Sequence, residues 1–187
     1  MPQTRKLGAA AAVSGACTAG LDGGRSARQE SRNMIDTPTS NPLKLARQFI
    51  MAIPHAKELG MEITRLENGH ATITMPYDPR LVGDPATGVL HGGAISSLMD
   101  TASGAAVMCH PAAPVSTATL DLRIDYFRPA APGQAITARA ECHHVTRSVA
   151  FIRVIATDED DLRPVAMGTG AFTLDRPGKR MPEQAKA

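Results

Sequence analysis

Residues 92–108, GGAISSLMDTASGAAVM, limit most strongly what this chain can fold into. Ile95, Leu98, Met99, Ala102 and Ala106 fall at helical spacing, and small rather than charged residues stand between them. The helix they predict is apolar nearly all round, and such a helix is buried instead of lying on a surface. The segments that follow it read as strands at 115–127, 134–146, 148–157 and 164–174. The clearest is the first, where Leu120, Leu122, Ile124 and Tyr126 alternate with Asp121, Arg123 and Asp125. Ahead of the helix, 61–67 and 70–77 form a hairpin around the turn Asn68-Gly69. Earlier still, Leu43, Leu45, Ala46, Phe49, Ile50 and Ile53 predict a short helix interrupted near Pro54. The stretch DPRLVGDPATG at 78–88, dense in Pro, Gly and Asp, is expected to be a loop. One buried helix among six strands with hairpin-length connections requires a curved antiparallel sheet around it, an α+β architecture. Its edge strands and outer face are surfaces that a second subunit can cover.

The chain has 187 residues, enough for one domain with a core and too few for two. The expected organisation is a leader at 1–42, a domain at 43–174 and a polar, disordered tail at 175–187. Within the leader, GAAAAVSGACTAGL at 8–21 follows Arg5 and Lys6 as a signal peptide would, but it lacks bulky apolar residues and runs into an Arg-rich segment. A disordered leader is the expectation, with Met34 as a plausible initiator. No run reaches the ~18 apolar residues of a membrane span. The 20 basic and 18 acidic residues are scattered, so nothing points to nucleic acid. Cys17, Cys109 and Cys142 are odd in number and have no metal-like spacing, which argues against a disulfide framework or a zinc site and suits the reducing cytoplasm.

Chemistry concentrates in GVLHGGAISSLMDTASG at 88–104. Two glycines at a helix start let another backbone or a ligand approach closely, and the free N–H groups there carry partial positive charge suited to an oxyanion. Tight helix–sheet packing explains the same glycines without any chemistry. Asp100 is a lone carboxylate in an apolar helix, costly there unless paired or functional; a hydrogen-bonded structural Asp and a catalytic one both remain open. His143 and His144 are adjacent on a strand, expected on opposite faces, and read as exposed polar residues. GAISS at 93–97 does not match a nucleophile elbow.

Together these residues resemble the hotdog-fold acyl-CoA thioesterases, in the branch of the phenylacetate-pathway thioesterase. The resemblance covers roughly residues 43–174. It rests on GDPATGVLHGG at 83–93, on Asp100 nine residues after His91, and on STATLDLRIDYFRPA at 116–130. It implies a sheet of about six strands wrapped around one helix, in a homodimer or dimer of dimers, and hydrolysis of an acyl-CoA or aryl-acyl-CoA without metal or organic cofactor. It implies that Asp100 attacks the thioester or activates water, that Gly92 donates the oxyanion N–H, and that Thr119 positions the carboxylate. His91 is implied as a residue fixing the loop more than as a base, while Gly93, Asp84 and Arg128 are substrate-binding candidates. The family often carries an Asn ahead of HGG; here the loop reads Asp84-Pro85, a departure that leaves the water-orienting group open between a backbone group and Asp84.

Geometry adds a constraint. Asp100 lies about 12 Å along the helix from Gly92 at ~1.5 Å per residue, whereas both must sit about 3 Å from one carbonyl. Gly92 of one subunit must therefore face Asp100 of another. The competing functions are a non-catalytic acyl-CoA-binding module, which would be expected to carry an output domain, and a hydratase, against which the spacing from HGG to Asp argues.

Overall fold

The computed structural model describes Lys44, Gln48, 51–112 and 114–175. The expected leader, the initiator at Met34, most of the first helix and all but the first residue of the tail lie outside the described residues. Lys44, Gln48 and Met51 are helical, and the Ala52 N–H closes a turn on the Gln48 carbonyl at 3.1 Å. Pro54, which cannot continue that hydrogen-bond pattern, instead opens a new turn, α1 (Pro54–Glu58).

The hairpin follows as β1 (Glu62–Glu67) and β2 (His70–Met75), paired with Glu67 opposite His70. Asn68 and Gly69 have φ of 43° and 87°, the two positive values a two-residue hairpin turn demands. The expected loop at 78–88 is more ordered than its composition suggests. A single 3-10 turn, Pro79–Leu81, is capped by the Asp78 carboxylate, and β3 (Val82–Asp84) pairs antiparallel with β4 (Val89–Leu90). Local side-chain acceptors make the difference, since Asp78 takes the Arg80 N–H and Asp84 the Ala86 N–H.

The buried helix is α2 (Gly92–Met108), and β5 (Thr119–Tyr126), β6 (Ile136–Val145), β7 (Val149–Thr157) and β8 (Ala166–Thr173) follow it. The six-stranded sheet runs β1-β2-β6-β7-β8-β5, with its hydrogen-bonded neighbours antiparallel. Leu98, Met99, Ala102 and Ala106 on α2 are fully buried against Ile73, Ile136, Ile152 and Val154 of the sheet. Truncating a large side chain at such a position costs about 2–5 kcal/mol. Ser103, also fully buried, returns its hydroxyl to the Met99 carbonyl at 2.7 Å, so its polar group is not stranded.

Two of the sheet's register irregularities change which side chains are exposed. A bulge between Cys142 and His144 slips the register by one, and His143 and His144 are both exposed instead of facing opposite sides. A second irregularity between Thr119 and Asp121 leaves Leu120 58% exposed, while Leu122 and Ile124 lie half-buried opposite Gly170 and Gly168. A Cβ on Gly170 would stand 2.5 Å from the Asp121 carbonyl and one on Gly168 2.8 Å from that of Arg123, so glycine there lets β5 close onto β8.

Candidate active site

β5 holds two points of α2, one at each of its own ends. At its first residue, Thr119, the hydroxyl donates to Asp100 Oδ1 at 2.8 Å. At its last, Tyr126, the phenol donates to the Gly92 carbonyl at 2.8 Å. Asp100 sits half-buried mid-helix. It borders a cavity of about 250 Å³ whose walls include Thr101, Thr119, Gly104 and Phe172. The carboxylate accepts one protein hydrogen bond among the described residues and keeps its remaining capacity toward the cavity.

The helix start is built differently. His91 is the N-cap, and its Nδ1 accepts the Gly93 N–H at 2.9 Å. A Cβ on Gly93 would stand 2.8 Å from His91 Nδ1, which explains the second glycine; a Cβ on Gly92 would meet only the Tyr126 ring, at 3.5 Å. Gly92 therefore has room for a side chain and lacks one. Its N–H, in the first turn and without an intrahelical acceptor, is one of the free donors of a helix N-terminus. A cavity of about 330 Å³ opens here between His91, Gly93, Ser97 and Arg80. His55 of α1 borders both cavities, a placement its sequence position does not signal.

The remaining candidates have partners of their own. Asp84 is engaged locally, accepting from Ala86 N–H at 3.0 Å and from the Thr87 hydroxyl at 2.6 Å; these bonds hold its carboxyl below the usual range. Arg128 lies in a third cavity, where it grips Asp158 through both Nη atoms and also donates to the Arg163 carbonyl. The structure thus brings Thr119 to Asp100, gathers Gly92, Gly93 and His91 at the helix start, and places Arg128 on the wall of a third cavity. Tyr126 was legible as part of the β5 alternation with Leu122 and Ile124, but its hydrogen bond to Gly92 was not.

Cys109 and Cys142 are buried and free. Burial, and then the neighbouring Cys109, push the Cys142 thiol up to about 11, and burial raises Cys109 as well, so neither is a thiolate at neutral pH. Among the described residues no cluster of three or more His, Cys, Asp or Glu is placed to hold a metal ion, and no helix is long and apolar enough to cross a membrane.

A curved six-stranded sheet around one helix, with a carboxylate at mid-helix and a glycine pair at its start, defines the hotdog class. The sequence model of the thioesterase superfamily matches residues 87–165. The medium/long-chain acyl-CoA thioesterase YigI of Escherichia coli is 32% identical over 146 residues, covering 71% of this chain and 93% of that protein. A crystal structure from Pseudomonas aeruginosa is 38% identical with a TM-score of 0.64, spanning 75% of this chain and 99% of that one. The Escherichia coli PaaI structure, at 23% identity and a TM-score of 0.65, shares the fold over 72% of this chain and 94% of its own. The chain belongs to the thioesterase superfamily and is a hotdog thioesterase of the PaaI type.

Proposed function

We propose that the protein hydrolyses an acyl-CoA thioester to the free acid and CoA, at two sites each shared between two subunits. The observation that carries this reading is the placement of the two half-sites at opposite ends of β5. That strand is an edge of the sheet, bonded among the described strands only to β8, and Leu120 and Phe127 at its two ends are 58% and 57% exposed. A second β5 laid antiparallel along the open edge sets the Thr119 end of each chain beside the Tyr126 end of the other. A two-fold dimer, alone or as half of a dimer of dimers, thereby brings Asp100 of each subunit to the partner's helix start, twice. Within one chain the two points stand eight residues apart on a continuous helix, about 12 Å.

In this mechanism the thioester carbonyl lies between Asp100 and the partner's helix start. Asp100 either adds to the carbonyl carbon or takes the proton of a water that does so, with Thr119 fixing the carboxylate by its single hydrogen bond. The oxygen gains negative charge, and the Gly92 N–H together with the positive helix end stabilises it. The C–S bond then breaks, CoA leaves as a thiolate that takes up a proton, and water supplies the acid's second oxygen. The absence of a side chain at Gly92, where packing leaves room for one, supports close approach of the carbonyl. The superfamily membership and the acyl-CoA thioesterase names of the relatives support the substrate class. Two buried free thiols agree with work in the cytoplasm.

Subunit exchange tests the shared site. Gly92→Val blocks approach of the thioester, and Asp100→Asn keeps shape while removing charge. A mixed dimer of the two inactive chains contains one site with both lesions and one with neither. Random exchange makes half the dimers mixed, so activity should return to about a quarter of wild type, given two-fold pairing. No recovery after demonstrated exchange would remove the composite site.

A further inference from the structure

The cavity beside Asp100 extends along α2. Asp100 and Thr101 stand at one end, and Gly104, Ala105 and Met108 continue along the same face of the helix, with Ile53 and Phe172 among the side walls and His55 and Thr117 also bordering the space. The helix rises about 12 Å between Asp100 and Met108. An extended alkyl chain with ~1.5 Å bonds advances roughly 1.3 Å per carbon, so this length admits about nine carbons. The cavity's volume is about 250 Å³.

Gly104 is out of keeping with its position. It sits inside a long helix, where glycine is the least favourable residue apart from proline. Its backbone does not require glycine, because it is absent from the residues with positive φ. Its neighbours do not require it either, since an added Cβ would meet only Phe172 Cε1, at 3.8 Å, an ordinary contact. What the missing side chain leaves is width in the cavity between the helix and Phe172.

We propose that Gly104 sets the acyl-chain limit of this site, which takes a straight aliphatic acyl group of about eight to ten carbons extending from Asp100 toward Met108 and Ile53. The proposal rests on the reading of Asp100 as the reacting group and adds to it a substrate class and a specificity residue. Aromatic acyl groups are too short to use the far half of the cavity, and long chains overrun it.

The test is kcat/KM of the full chain, of Gly104→Ala and of Gly104→Leu on straight-chain CoA thioesters from two to sixteen carbons, and on phenylacetyl-CoA. Wild type should rise with length, by up to about fourfold per methylene newly buried, and stop rising near eight to ten carbons. Gly104→Leu should lower the ratio of the ten-carbon to the four-carbon substrate by tenfold or more. Gly104→Ala should lower it severalfold while raising the thermal midpoint, because alanine is the better helix former. The ratio is taken within each enzyme, so a general loss of activity cancels; if Gly104→Leu does not fold, Gly104→Ala decides. An unchanged ratio in the folded variant that decides, or a wild type that prefers phenylacetyl-CoA, overturns the proposal and leaves thioester hydrolysis standing. A folded wild type that cleaves none of these substrates overturns the reading of the site and this proposal with it.

Discussion

Among the described aspartates that are taken partly or wholly out of water, Asp158 and Asp100 are treated in opposite ways. Asp158 is 5% exposed and accepts from both Nη atoms of Arg128, at 2.6 and 2.7 Å, and from the N–H groups of Ala131 and Asp160. Arg128 lies just past the end of β5 and Asp158 just past β7, so the pair ties together two chain segments far apart in sequence. The Arg128 guanidinium beside it holds the Asp158 carboxyl well below the usual carboxylate range. Asp100 is less buried and accepts one hydroxyl proton, from Thr119, with a cavity on its other side. Burial alone therefore does not single out a functional carboxylate. The more deeply buried of the two has all its capacity occupied, and the one with capacity left over faces a space that a substrate can enter.

The contrast can be broken from either side. The largest effect is expected at Asp158: replacing it with Asn leaves the mostly buried Arg128 without its counter-charge and should cost about 3–5 kcal/mol of stability, read by urea unfolding. The activity of the molecules still folded should persist. Because the folded-state pKa is depressed, this stabilisation is fully present above the ~3.9 of an unfolded Asp and is lost as pH falls below it. The gap between wild type and Asp158→Asn should accordingly narrow below about pH 4.

At Asp100 the balance reverses. Asp100→Asn should lower kcat by about 100-fold or more, equivalent to ~2.7 kcal/mol in the barrier at ~1.36 kcal/mol per tenfold, with the unfolding midpoint held. A folded Asp100→Asn protein that keeps most of its turnover would end the assignment, and one that melts as Asp158→Asn does would show both carboxylates to be structural.

The smallest effect sharpens the pairing of Asp100 with its single donor. Thr119→Val retains the shape of the side chain and deletes the hydroxyl, and should reduce kcat about tenfold, or ~1.4 kcal/mol, with little change in KM. Added to Asp100→Asn it should cost almost nothing more, because Thr119 acts through the carboxylate. Additive losses in the double variant would mean that Thr119 serves some other step.

Much of this could be read from the chain without its fold. The helix at 92–108, the hairpin around Asn68-Gly69, the β5 alternation through Leu122, Ile124 and Tyr126, and the prominence of Gly92 and Asp100 were all legible. They depend on periodicity, turn chemistry and the anomaly of a charge among apolar neighbours, which act within a few residues of chain. The tertiary structure alone decided that β5 closes the sheet as an edge beside β8, that Tyr126 reaches Gly92, and that Arg128 is taken by Asp158. It alone decided that a bulge exposes both His143 and His144, and that His55 of α1 and the adjoining Ile53 join the cavity walls. Each of these depends on which segments meet across long stretches of chain. Pairwise contact at that range is set by how the whole sheet packs around its one helix, and no local pattern of residues encodes it.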